Sequence, residues 1–269
     1  MRRLEAQAQA EAEAERQHRA EAEAERHQTG KTRRGKAPTP VEESPDDKAQ
    51  SNFTDPELHI MRTNNKGWEY CGNAQVSVDA ACQIILACDV SNAPNDKQQA
   101  EPLAQAILAT LADAGIELPT DELGAPEALP ATLDNGYYSE AAVQALETLG
   151  FDPYMSTGRQ PHHTPEAEAS DPPATAQERM AAKVRTPEGR ALYARRKVIV
   201  EPVFGQIKEG RGFRRFLLRG LEKIRGEWRL VCLPHNLLKL WRYGCAPLTV
   251  GVPVVQNVVV PNSPPFEYG

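Results

Sequence analysis

Two short runs rich in apolar residues stand close together near the start of the ordered pattern, GNAQVSVDA (72–80) and QIILACDV (83–90). The first alternates in places and the second is a short β-rich run, so the pair predicts an antiparallel hairpin. Asn95-Asp96 then offers an N-cap for an Ala/Leu/Ile helix reaching about Ala114. PATLD (130–134) predicts a strand that ends in Asp134, with Asn135-Gly136 as the turn behind it. Ser139 caps the next predicted helix, EAAVQALETLG, and Gly150 closes it. DPYMSTG (152–158) predicts another strand. Thr186-Pro187-Glu188 opens a long helix over about 187–209, with proline at the first helical position, and a second long helix covers about 221–242. Hairpin, helix, strand, helix, strand and long helices together predict a mixed α/β fold, a partly parallel sheet flanked by helices. Strands in such sheets present their carboxyl ends to an active site, and Asp134 sits at such an end.

The flanks read differently. Residues 1–36 are low in complexity, with AEAEAER occurring at 10–16 and again at 20–26. Strong helix formers without an apolar stripe predict a solvated helix or a disordered arm. Residues 37–51 form a Pro- and acid-rich linker, and 117–129 and 159–176 read as loops. The expected organisation is an arm and linker over 1–51, a folded domain over 52–243, and an irregular tail over 244–269.

Charge changes the picture. The 269-residue chain has a formal net charge of -6. Yet residues 183–242 hold 16 Lys/Arg against 5 Asp/Glu, which leaves -17 for the rest. An acidic chain with one strongly basic block suits a polyanionic partner. Within that block RGFRRFLLRGLEKIRGEWR sets Arg211, Arg214, Arg215, Arg219, Lys223, Arg225 and Arg229 around three aromatics. Arginine forks give bidentate phosphate contacts, whereas Phe213, Phe216 and Trp228 read as core anchors. Leu217, Leu218, Leu221 and Ile224, with the VCLPHNLLKLW run, are expected to bury the second long helix. The five cysteines (71, 82, 88, 232 and 245) include no C-x-x-C pair and read as reduced thiols in a cytoplasmic protein. Their spacing from His162, His163 and His235 is wrong for zinc. No apolar run approaches the ~20 residues that span a bilayer.

Two carboxylates stand out chemically. Asp134 is fixed by a strand and left open by the loop after it; the same residues also describe an ordinary Asp-Asn-Gly turn. Glu201 lies in VIVEPVFGQIK, between valines, on what reads as the packed side of a helix. A charge there is costly unless it is paired or holds a cation, and Lys197, four residues back, can pair with it. Pro202 removes one helical hydrogen bond and is expected to kink or restart the helix. Carboxylates that hold magnesium beside Lys and Arg perform phosphodiester cutting and joining.

The segments NFTDPELHIM (52–61), GNAQVSVD (72–79), DVSNAPND (89–96), LDNGYYSE (133–140), MSTGRQ (155–160) and the long stretch 185–240 carry a resemblance. Taken in order over about residues 52–243, the chain resembles the carboxy-terminal portion of a bacterial insertion-sequence DDE transposase with an RNase H-like catalytic domain. The resemblance implies that Asp134 is the second catalytic Asp and Glu201 the catalytic Glu, both holding Mg2+, with Mn2+ as a substitute. A related group carries a Tyr–Arg–Glu–Lys signature, and Glu201 and Lys208 keep its spacing. Tyr193 and Arg196 keep the upstream gap, but four residues rather than three separate Arg196 from Glu201; Lys197 restores that gap and loses the tyrosine.

In that fold the first catalytic Asp lies on a strand upstream of the hairpin, where this chain has only the arm and linker. The expectation is an N-terminally truncated domain, with Asp89 as the one substitute. Lys208, Arg211, Arg214, Arg215, Arg219, Arg196 and Lys197 are the implied DNA-binding residues. The implied partners are transposon-end DNA and further copies of the transposase, as a homodimer or larger assembly. Two activities stay open: Mg2+-dependent DNA strand cleavage and transfer, or an inactive fragment that binds only DNA or a full-length transposase. A glycosidase-like carboxylate pair finds no support in the basic block.

Overall fold

The computed structural model describes residues 2–29, 40–41, 44, 52–63, 67–116, 118, 120, 126–158, 175–244, 258–260 and 266–268. The chain divides into two units, Met1–Phe53 and Thr54–Gly269. In the first, a helix α1 runs over Arg2–Thr29. Its Ala/Glu/Arg repeat supplies local pairs such as Arg19 Nε to Glu15 Oε1 at 2.7 Å, the i,i+4 kind that supports a helix without a core. Most of the 37–51 linker lies outside the described residues.

The second unit is mixed α/β, with antiparallel and parallel pairing in one sheet. Strands β1 (His59–Arg62), β2 (Trp68–Asp79) and β3 (Ile85–Ser91) are antiparallel, with β2 in the middle. The predicted hairpin is present, but β2 starts four residues earlier, and the short strand over HIMR was not anticipated. Helix α2 (Ala100–Asp113) follows, then β4 (Leu129–Leu133), a 3-10 turn at Asn135–Tyr137, α3 (Glu140–Thr148) and β5 (Phe151–Met155). Strands β4 and β5 pair in parallel. Ser139 caps α3 by accepting from Ala142 N–H, and Gly150, at φ +83°, takes the left-handed conformation that lets the chain turn into β5. The His162-His163 loop falls outside the described residues.

Beyond it come α4 (Ala176–Arg185), α5 (Pro187–Gly205), a π turn at Gln206–Gly210, β6 (Arg215–Phe216) and α6 (Leu221–Gly244). Helix α4 begins at the last residue of the expected 159–176 loop and was not anticipated. It is opened by a capping box in which Thr175 and Glu178 exchange side-chain and backbone hydrogen bonds. Two short strands close the sheet: β7 (Val258–Val260), antiparallel to β2 and parallel to β4, and β8 (Phe266–Tyr268), between β2 and β6. The expected irregular tail therefore contributes strands.

Two apolar clusters hold the unit together. One joins α2, α3, α4, β4 and β5 around Ile107, Leu111, Leu133, Leu146 and Met155. The other joins β2 and β3 to α5 and α6 around Val76, Val203, Phe204, Phe216 and Trp228. Phe213, Phe216 and Trp228 are core anchors as expected, with ring centroids 5.7–6.4 Å apart. Gly72 is needed in β2 because a Cβ there would lie 2.9 Å from Val90 and 3.2 Å from the Phe216 ring. The expectation that Leu217 and Leu218 bury α6 is not met; they are 71% and 45% exposed.

Candidate functional site

Asp134 leaves the carboxyl end of β4, half-buried, and Arg196 of α5 holds it by an ion pair, Nη2 to Oδ1, at 3.1 Å. The guanidinium is oriented by Tyr193, one helical turn before it, whose ring lies 5.2 Å away. Burial pushes the Tyr193 phenol up, while the neighbouring arginine and a hydrogen bond to Ser156 act against that shift. Arg196 Nε is buried and finds no hydrogen-bond partner among the described residues.

A buried polar network adjoins this corner. Asp96 Oδ1 accepts from Asn73 Nδ2 at 2.6 Å and from Gln75 Nε2 at 2.7 Å. Tyr137, fully buried in the turn after Asp134, donates its hydroxyl to Gln75 Oε1. Trp228 of α6 donates to the Gln75 carbonyl at 3.0 Å. Burial is the main cause that raises the Asp96 carboxyl, the two amides counteract it, and the Asp134 charge adds to it. Burial, then Asp96 and Asp134, likewise raise the Tyr137 phenol.

Asp96 is thus not the cap of α2, which Gln99 precedes. Two side-chain amides inside β2 draw its carboxylate inward, because a buried carboxylate needs donors more than a helix end needs a cap. The sequence did carry a signal for this network. Asn73 and Gln75 alternate with Gly72, Ala74 and Val76 in a strand buried on both faces, so their amides require partners.

Glu201 lies on the same helix as Arg196, five residues further along. It is exposed on α5, and among the described residues it has no ion pair. The packed-face expectation is corrected: Val200 and Val203 turn into the core, and Glu201 falls between them on the open side. Helix α5 also runs through Pro202 to Gly205 without interruption. The carbonyl that Pro202 cannot engage, Val198 O, accepts instead from Gln83 Nε2 at 3.3 Å, and Ile199 O accepts from the same amide at 2.9 Å. Gln83, in the β2–β3 turn at φ 60°, also accepts from His235 Nε2 at its carbonyl (2.7 Å) and from Lys239 Nζ at Oε1 (2.7 Å). One turn residue therefore seats α5 on α6 at the proline.

Of the remaining candidates, Arg211, Arg215 and Arg219 are exposed around β6, and Lys197 is exposed on α5. Arg214 pairs with Glu209. Lys208 lies half-exposed in the π turn. Asp89 is engaged by Arg225 Nε at 2.9 Å, so it serves the β3–α6 contact, and Arg225 is spent there as well. Among the described residues no three His, Cys, Asp or Glu side chains gather into a group that could hold a metal ion. Asp134 and Glu201 by themselves do not fit a complete metal site, so no metal-dependent step is derived from them. No helix among the described residues is long and apolar enough to cross a membrane.

This arrangement is that of a mixed α/β domain with a carboxylate at a strand end and a basic surface beyond. Residues 158–241, which begin beyond β5, take in α4 and α5 and end within α6, match the family model of the transposase DDE domain, and the match supports an insertion-sequence DDE transposase. No curated protein and no solved structure matches the chain.

Proposed function

We propose that the chain serves DNA transposition as part of an insertion-sequence DDE transposase, an RNase H-like domain that grips DNA through the surface around β6. The observation that carries this reading is the cluster of exposed arginines, Arg211, Arg215 and Arg219, within the segment that matches the transposase DDE domain. Lys197 and Lys208 extend that surface along α5 and the π turn. Arginines in open solvent beside a packed aromatic core are free to meet phosphates. Asp134 and Glu201 are the carboxylates that the resemblance assigns to a divalent metal, Mg2+ or Mn2+, whose chemistry when bound is to activate an attacking oxygen and stabilise a leaving one.

Duplex DNA titrated by fluorescence anisotropy over a range of salt tests the first part. Each arginine withdrawn from a phosphate lowers the salt slope by about 0.9, so Arg211→Ala/Arg215→Ala/Arg219→Ala should flatten it by roughly 2–3. Unchanged affinity and slope would remove the assignment. A second reading, a chain that binds DNA without cutting it, is favoured by the Asp134–Arg196 ion pair, which already neutralises the carboxylate. End-nicking with Mg2+ or Mn2+ that is lost in Asp134→Ala and in Glu201→Ala supports cleavage; retained binding without nicking supports the second reading.

A further inference from the structure

Helix α6 runs along β3 in the opposite direction, and hydrogen bonds fix both ends of the contact. Near the start of the helix, Arg225 Nε reaches Asp89 Oδ1 at 2.9 Å and the Val90 carbonyl at 3.0 Å. Further along, Asn236 holds both backbone groups of Ile85: its Oδ1 accepts from the N–H and its Nδ2 donates to the carbonyl, each at 2.8 Å. From 225 to 236 the helix rises about 16 Å, and from Asp89 back to Ile85 the strand covers about 13 Å. The two elements therefore stay in step between these ties, and there Cys232 of α6 meets Cys88 of β3. Both belong to one apolar cluster, Cys232 at 3% exposure and Cys88 half-buried. Both are free thiols, and the two sulfurs share a hydrogen bond.

We propose that Cys88 and Cys232 are a redox-modification site, a thiol pair that a peroxide converts to a reversible disulfide tying α6 to β3. The roles of the two sulfurs differ. The hydrogen bond from Cys232 pulls the Cys88 thiol down, burial opposes it, and Arg229 assists. The same bond, then burial and the Cys88 charge, push the Cys232 thiol up. The thiolate thus forms on the more open sulfur, and the thiolate is the reactive species. Cys88 takes one oxygen from hydrogen peroxide to become a sulfenic acid, and the departing hydroxide gains a proton and leaves as water. Cys232 then attacks that sulfur, gives up its proton and expels a second water. Two thiols and one peroxide become one disulfide and two waters, so the sulfurs are oxidised and the peroxide is reduced. Any small thiol reverses the step by exchange. Where thiols are kept reduced, a bond of this kind is transient and reports on oxidant rather than bracing the fold. The inference stands on the α6–β3 contact alone, whether or not the chain binds or cuts DNA.

Peptide mapping by mass spectrometry tests it, on the full chain reduced, then treated with stoichiometric hydrogen peroxide and digested without reductant. A Cys88–Cys232 cross-link is expected, and dithiothreitol should remove it. The oxidised chain should unfold at a higher urea midpoint than the reduced one, because the bond closes a long loop in the unfolded state. Cys88→Ser and Cys232→Ser should each lose the cross-link and the shift, whereas Cys71→Ser, Cys82→Ser and Cys245→Ser should keep both. Cys88→Ser, at the half-buried position, decides the matter if Cys232→Ser fails to fold. A cross-link that forms no faster in the folded chain than in urea would overturn the proposal, since chance encounter would then account for it. So would oxidation that stops at the single Cys88 sulfur, a Cys88 joined to a different cysteine, or a midpoint that the cross-link leaves unmoved.

Discussion

The two carboxylates that the resemblance pairs, Asp134 and Glu201, occupy opposite kinds of ground. Asp134 stands in a corner that four elements build together: β4 supplies its backbone, α5 supplies Arg196, β2 supplies the amides beneath, and the turn behind supplies Tyr137. Glu201 stands on an open helical surface, and the specific structure around it belongs to its neighbours. Gln83 holds the carbonyls that precede Pro202, and Val200 and Val203 anchor the helix. The difference teaches that a site residue is defined by what the fold presses against it. Its chemical type and its place in a motif do not supply that surrounding.

The comparison breaks most readily at Tyr137. Its ring is fully buried and its hydroxyl satisfies Gln75, so Tyr137→Ala should cost about 3–5 kcal/mol in urea unfolding. A cost near zero would mean that the corner does not pack around this ring. Gln83→Ala comes next. It leaves Lys239 Nζ and the Val198 carbonyl without their partners and keeps a Cβ in a left-handed conformation, at roughly 1–3 kcal/mol. The same assay reads it, and Gln83→Glu should recover part of the loss by keeping the acceptor for Lys239.

A pH series sharpens the Asp134 side. Because burial and the Asp134 charge raise the Asp96 carboxyl in the folded state, its contribution is complete below the unfolded pKa of about 4 and is lost as pH rises through the folded value. Thermal stability should therefore decline over that window. Asp96→Asn retains an oxygen acceptor for Asn73 and Gln75, and it should flatten the decline; an unchanged slope would disconnect Asp96 from it. The smallest effect is expected at Glu201. Glu201→Ala, on an exposed helical position, should shift unfolding by no more than about 0.5 kcal/mol. A larger loss would show that the glutamate has a structural partner after all.

Much of this fold was legible beforehand because local rules and tertiary packing agreed. The hairpin, the strand ending at Asp134, the Ser139 cap and the proline that opens α5 all followed from patterns a few residues long. Helix α4 was missed because Thr175 and Glu178 form a sound capping box at the edge of a stretch dominated by proline and acids. The cap of α2 was misplaced because Asp96 has the right chemistry for a cap and a stronger claim elsewhere. The leucines of α6 were assigned to the core on hydrophobicity alone, although a helix 24 residues long has more apolar positions than one sheet face can cover.

By itself, then, the sequence determined the mixed α/β class of fold, the order of the elements it anticipated and the basic stretch, and it singled out Asp134 and Glu201 as carboxylates. Each of these depends on residue type and on spacing within one element. Only the tertiary structure decided that Arg196 closes on Asp134, that Asn73 and Gln75 claim Asp96, that Gln83 seats the helix at Pro202, and that one face of α6 stays open. Those outcomes depend on which distant groups meet. Buried donors, acceptors and charges must be satisfied by whatever the packing brings near, and apolar surface is covered only where another surface reaches it.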